Sequence, residues 1–335
     1  MTREWRRIDT LKEHLGLAGQ VDQDYDQWPG CSENQRWLST VDGGNYSDAL
    51  PGEPISIWAF RIVSAAISDL AVGGADAVRI HVDLTVPSEI RPGDLEGIAL
   101  GIRTAVDSAG AEIANGNNLR VGPWSLSVAA NGTTRSVSPR GRAGLAGDLI
   151  VVSGVFGMFN VALQGLNNGN VDFDIGRFSL GEALLGGFPE LHFGRMLNSM
   201  PGVTSAIDAN DCVFKCCHDL ARASGLTVAM DPKLVKEVGK AYPDPPSVHD
   251  LVGHPHGDLR LVFSIPPDLL ADFESRVENA DREVFVIGEM VDRRDALVTG
   301  IEVDLDRPWK PAPAFSYPVT DALKALRGLQ QIGGR

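Results

Sequence analysis

The chain has 335 residues, 43% of them hydrophobic, with 30 Lys and Arg against 44 Asp and Glu and a net charge of −14. That length supports a sizeable core and two domains, while the negative charge argues against nucleic acid or an anionic membrane as partner. No apolar run approaches the roughly 20 residues of a membrane span, MTREWRRIDTLKEHLG has no segment of signal-peptide type, and Cys31, Cys212, Cys216 and Cys217 do not read as a disulfide framework, so a cytoplasmic protein is expected.

In chain order, WLSTVD (37–42) reads as a strand ending at an acid, and ISIWAFRIVSAAISDL as a helix with Ile55, Trp58, Ile62, Ala66 and Leu70 on one face. AVRIHVDLTV alternates Val78, Ile80, Val82, Leu84 and Val86 with polar residues, the pattern of a half-buried strand. A helix is expected over 92–109, started by Pro92 and stopped near Gly110. A short strand at 111–114, the stretch NGNNLRVGP and a strand in WSLSVAANG follow. The Gly-rich turn at 141–147, followed by an apolar strand, divides the chain into 1–140 and 141–335.

The second part alternates in the same way. Helices are expected from about 155, at 178–186, opened by Asp211, from Pro232 to about 241, at 266–278 and at 319–328. Strands fall in VTSAIDA, LTVAM, LRLVFSIP and two later segments, and the Pro- and His-rich loop 242–257 reads as a flexible lid or surface turn. The class is α/β (α+β).

The chemistry begins with absences. There is no G-x-x-x-x-G-K-[ST] loop, no G-x-G-x-x-G after a strand, no G-x-S-x-G elbow and no H-E-x-x-H. What remains are carboxylates at element ends: Asp22, Asp24 and Asp26 in VDQDYDQW, then Asp42, Asp69, Asp208 and Asp211. Hard oxygen donors spread over several elements suit Mg²⁺, which takes one or two carboxylates and leaves its other positions to water and phosphate. Taken singly, Asp22 to Asp26 read as a solvated loop and Asp211 as a helix N-cap or first-turn acid. Asp69 stands out because an unpaired carboxylate among Ala, Ile, Leu and Val is costly.

The succession WLSTVDGG, AAISDLAVGGA, NGNNLRVGPWSLSVAANG, GRAGLAGDLIVVSG, AIDANDCVFKCCHDLARASGL and HGDLRLVFSIPP resembles the thiamine-monophosphate kinase family. That family lies within the superfamily of aminoimidazole-ribotide synthase, selenophosphate synthetase and the hydrogenase-maturation dehydratase. The resemblance covers about residues 20 to 290. It implies a two-domain fold, each domain a mixed sheet with packed helices, and phosphoryl transfer dependent on ATP and Mg²⁺. By this resemblance Asp42, Asp69 and Asp211 bind metal, Asp69 faces metal-bound phosphates, and Asp211 with Asn210 stands at the transferred phosphoryl group. Asp22 or Asp24 matches the family's G-D-D-A segment.

Asn117 stands where the family's G-G-D-T loop has an acid, and its amide ligates Mg²⁺ without bringing charge. Gly43, Gly44 and Gly116 allow close approach to phosphates, and Arg120 is a candidate phosphate contact, with a solvated Arg as its alternative. Cys212 replaces a Gly, and HGDLRLVF keeps Asp258 and Phe263 but puts Gly257 and Arg260 where the family has acids. These exchanges point to a small-molecule acceptor other than thiamine monophosphate. The resemblance also implies a homodimer, with strand 78–86 contributing.

Cys212 and Cys216 lie one helical turn apart, and His249, His254 and His256 lie in one loop, but the spacing matches no closed Zn²⁺ site and core cysteines are the better reading. Trp28, Trp58 and Trp124 read as packing residues. The expected activity is an ATP-dependent small-molecule kinase. The alternatives are a synthase that activates a carbonyl oxygen and a catalytically weakened nucleotide-binding protein.

Overall fold

The computed structural model describes residues 25–30, 35–49, 53–135, 141–167, 183–253, 257–280, 282–292 and 296–303. The first of its two mixed sheets has the order β1 (Asp26–Pro29), β2 (Arg36–Asn45), β5 (Ser125–Thr134), β3 (Asp76–Val86), β4 (Glu112–Val121). Neighbours run antiparallel except β3 and β4, which are parallel and joined by the helix α2 (Pro92–Ala109). Pro92 starts α2, and Gly110 ends it in the left-handed conformation, φ 64°.

The helix α1 (Ile55–Val72) is the centre of the molecule. Its mean hydropathy of 1.6 over 18 residues meets the length and composition of a membrane span, yet 78% of it is buried inside the fold. The first sheet and α2 pack against it, as do α4 (Leu191–Ser199) and β7 (Ser205–Asp208) from the second half. Enclosure on all sides explains why Ser56, Ser64 and Ser68 are buried with the apolar stripe, where one buried face was expected. A Cβ on Gly194 would lie 1.9 Å from the Ala71 carbonyl oxygen, so α4 crosses α1 in backbone contact. There Asn198 Nδ2 donates to the Val72 carbonyl at 2.9 Å.

The second sheet has the order β11 (Val298–Thr299), β8 (Thr227–Met230), β10 (Val284–Val291), β6 (Leu149–Ser153), β9 (Leu261–Ile265), β7, with only β11 and β8 parallel. Its strands are covered on both faces. Val151, Ala206, Phe263 and Ile265 join the α1 core. Ile150, Val152, Ile207 and Val262 pack with α3 (Met158–Asn167), α5 (Val213–Ser224), α6 (Pro232–Gly239) and α7 (Val248–Val252). The helix α8 (Leu270–Asn279) adds Phe273 and Val277 to the α1 core. The two sheets thus take their strands from either side of residues 136–140, while the core around α1 is built from both halves.

Four expectations are corrected. β2 does not end at Asp42 but runs through Gly43 and Gly44 to Asn45, paired with β5. The Asn-rich stretch is not a loop after a short strand: β4 is continuous, and register shifts against β3 absorb the turn-forming residues. Asp211 does not open α5, whose N-cap is Cys212 and whose first turn holds no acid. The segment 242–253 is fastened rather than free: it contains α7, capped by a reciprocal Ser247–Asp250 box. Tyr242 donates to the Phe156 carbonyl at 2.7 Å, and Asn160 Nδ2 to that of Gly253 at 2.6 Å.

Asp22, Asp24, Cys31, His254, His256 and residues 178–182 and 319–328 lie outside the described residues. Cys212, Cys216 and Cys217 are free and buried. Burial pushes the Cys212 thiol up to about 12, as suits core residues.

Candidate functional site

The segment Asp208–Cys212 connects β7 to α5 and is clamped by the chain that enters β9. Ala209 N–H donates to the Arg260 carbonyl at 2.6 Å, Leu259 N–H to that of Ala209 at 3.2 Å, and Gly257 N–H to that of Asn210 at 3.1 Å. Only Gly serves at 257, since a Cβ would lie 1.8 Å from the Ala209 oxygen and 2.1 Å from that of Asp211. Leu259 takes φ 54°, a conformation costly for a branched residue. Asp211 therefore sits on a backbone fixed from two directions.

Asp258, between these contacts, is a cap. Its buried carboxylate accepts N–H bonds from Gly157, from Met158 at 3.1 Å and from Phe159 at 2.9 Å, closing the N-terminus of α3. Burial raises its pKa, with the Phe159 N–H bond, the Arg260 charge and the other N–H bonds opposing. Arg260 spends its charge internally: it donates to Glu190 at 2.7 Å and to the Val155 carbonyl at 2.9 Å. The other Glu190 oxygen takes the Ser153 hydroxyl. Two residues kept or exchanged relative to the family motif thus hold the fold around the site.

Asp42 lies on β2 with its Oδ1 accepting the Gly43 N–H at 2.6 Å. Burial pushes its carboxyl above the usual range, the Gly43 bond opposes this, and the negative charge of Asp211 adds to the rise. The two acids, one from each sheet's part of the chain, therefore share one electrostatic neighbourhood. Asp69, half-buried near the end of α1, points at β2 and accepts the hydroxyl of Thr40 at 2.7 Å. Its burial is thus compensated by a hydrogen bond within the protein. Thr40 and Asp42 lie two apart on β2 and share a face. Lys215, on the first turn of α5, pairs with Asp211. Among the described residues no three His, Cys, Asp or Glu converge as a ready-made metal cluster.

The other expected contacts divide. Gly43 and Gly44 pair with Ser127 and Leu126 in the sheet, and a Cβ on Gly44 would lie 2.7 Å from Ile62 Cδ1, so packing explains them. Arg120 is exposed on β4 and paired with Asp83. Asn117 lies where β4 bulges: His81 pairs with Asn115 and Asp83 with Asn118, leaving Gly116 and Asn117 opposite Val82. Such bulges recur beside active sites. Asn210 is exposed and held through its carbonyl. Sequence reading missed Thr40 and Lys215; the i,i+4 spacing from Asp211 was the available signal for the latter.

Residues 28–134 match the family model described as AIR synthase related protein, N-terminal domain. A thiamine-monophosphate kinase of Halobacterium salinarum is 27% identical over 250 residues, 74% of this chain and 80% of that protein. Among solved structures, AaThiL complexed with AMPPCP and TMP matches with TM-score 0.72 at 19% identity, covering 90% of this chain and 94% of that one. The hydrogenase maturation protein HypE of E. coli matches with TM-score 0.60 at 19% identity, covering 83% and 88%. The solved structures share the fold of two mixed sheets with packed helices. Residues 28–134 thus carry an AIR synthase related N-terminal domain, and the chain as a whole is similar to thiamine-monophosphate kinases.

Proposed function

We propose that the chain is an ATP- and Mg²⁺-dependent phosphotransferase acting on a small-molecule acceptor other than thiamine monophosphate. The observation that carries this reading is the coupling of Asp42 to Asp211. Burial raises the Asp42 carboxyl and the charge of Asp211, from a different part of the fold, adds to the rise, and two hard carboxylates so placed suit a divalent cation. Asp42, Asp69 and Asp211 would hold Mg²⁺, with the Asn117 amide as an uncharged fourth contributor. Bound Mg²⁺ supplies neutralisation of phosphate charge. The chain's own part is to orient: the Gly257–Arg260 clamp fixes Asp211 and Asn210 facing the transferred group, and Thr40 fixes Asp69. The thiamine-monophosphate kinase relatives and the AMPPCP-bound neighbour support nucleotide use.

The acceptor reading rests on Asn117 and Cys212, which replace residues of the family motifs. Arg260 no longer supports it, because its charge is matched by Glu190. The exposed Val41 on β2 and Leu119 and Val121 on the edge strand β4 support a homodimer through the first sheet. The test is ATP turnover against a metabolite panel with ADP and free phosphate both measured. ADP with a phosphorylated product supports the reading, free phosphate with a condensed product indicates a synthase, and nucleotide binding without turnover indicates a weakened relative.

A further inference from the structure

Lys215 is the third residue of α5, inside the first turn, where the helix dipole already carries positive charge and a cation is unfavourable. No acid accompanies it in that turn. Its side chain is only 16% exposed, so the stem is packed away and the ammonium emerges at the loop before the helix, where it meets Asp211, which is 48% exposed. Helix stability does not explain a lysine there. Its ion pair with Asp211 does.

We infer that Lys215 is the built-in counter-charge of Asp211 and competes with a divalent cation for that carboxylate, so that metal enters with the nucleotide rather than before it. This rests on reading the acids as a cation site. Asp211 and Lys215 already neutralise each other, so a bare divalent ion would have to displace the ammonium from its ion pair. A metal that arrives on a polyphosphate brings compensating negative charge and gives the ammonium a new partner. Lys215 is a positioning residue in this account, acting through Asp211. The same competition keeps the empty protein from trapping free divalent ions.

The test is a calorimetric titration of the full chain with Mn²⁺ alone, without nucleotide. Lys215→Met and Lys215→Gln should bind Mn²⁺ about tenfold more tightly than wild type, a coupling of ordinary size between two ligands of one site. Lys215→Arg, which keeps the charge, should stay near the wild-type value, and adding Asp211→Asn to Lys215→Met should remove the gain. A purely structural lysine would loosen the site on removal, so unchanged or weaker Mn²⁺ affinity in the neutral variants overturns the inference. So does the absence of Mn²⁺ binding in every variant. Lack of ATP turnover by the wild type would count against phosphoryl transfer and leave this titration readable.

Discussion

Burial raises the pKa of Asp42 on β2 and the negative charge of Asp211, at the entry to α5, adds to the rise, so that acids from the two halves of the chain act in one electrostatic neighbourhood. Asp211 is half-exposed and its i,i+4 pair with Lys215 is worth little to folding, about 0.3 to 0.5 kcal/mol for such helix pairs. Asp211→Asn should therefore melt close to wild type while turnover falls by about 10²-fold or more, the scale of losing a preorganised group at a charge-developing centre. Steady-state kinetics beside a thermal melt check this, and normal turnover would remove Asp211 from the site.

Asp42 makes a stability prediction with a definite sign. Burial, joined by the charge of Asp211, raises its folded-state pKa above the ordinary carboxylate value despite the Gly43 hydrogen bond. Above that value the folded protein binds more protons at this position than the unfolded chain, so stability falls as pH rises toward the raised pKa. Asp42→Asn lacks that loss. In the presence of chelator its urea midpoint near neutral pH should equal or exceed wild type, and should change less between mild acid and neutrality. A variant clearly less stable at neutral pH would show that the carboxylate serves the fold.

Asp258 should behave in the opposite way. Its removal orphans three buried N–H donors at the start of α3, and lost caps and unsatisfied buried donors each cost on the order of 1 to 2 kcal/mol. Asp258→Ala should lose about 3 kcal/mol in urea unfolding, within the range of those principles. A loss below about 0.5 kcal/mol, the size of an ordinary surface change, would refute the cap.

Arg260→Gln breaks a pair whose side chains are 13% and 7% exposed, leaving Glu190 buried without its cation at a cost of about 3 to 5 kcal/mol. Folding should suffer and the ranking of acceptors should not change. A changed ranking in a fully folded variant would return Arg260 to the acceptor pocket.

Thiamine monophosphate should be a poor acceptor, with kcat/KM well below the roughly 10⁴ M⁻¹s⁻¹ at the lower end for ordinary enzymes. The reason is that polar groups mismatched to a ligand cost orders of magnitude, and Asn117 and Cys212 alter the motif positions. Efficient formation of the diphosphate would place both residues outside the pocket and make this a plain thiamine-monophosphate kinase.

Elements with local signals were legible. The helix 92–109 matches its expected range because Pro92 and Gly110 punctuate it, and strand 78–86 because its alternation is strict. β4 was not, since Gly116, Asn117 and Asn118 read as a turn until β3 supplies the partner that keeps them extended. The motif order proposed a set of acids, but which of them act on one another was not legible in it. The charge of Asp211 acts on Asp42, and Asp69 accepts from Thr40, across long stretches of chain, and the fixing of the segment before α5 depends on Gly257, whose need for a missing side chain appears only in the packed backbone. Arg260 misled for the same reason, because Glu190 lies far off in sequence.

The central claim is that acids from the two halves bind nucleotide through a divalent ion, and calorimetric titration of the wild-type chain with ATP tests it most directly. With Mg²⁺ present, ATP should bind. With chelator, affinity should fall by about 100-fold or more, because Asp42, Asp69 and Asp211, proposed as the cation's ligands, would repel a bare triphosphate. Equal affinity in both titrations would contradict the account.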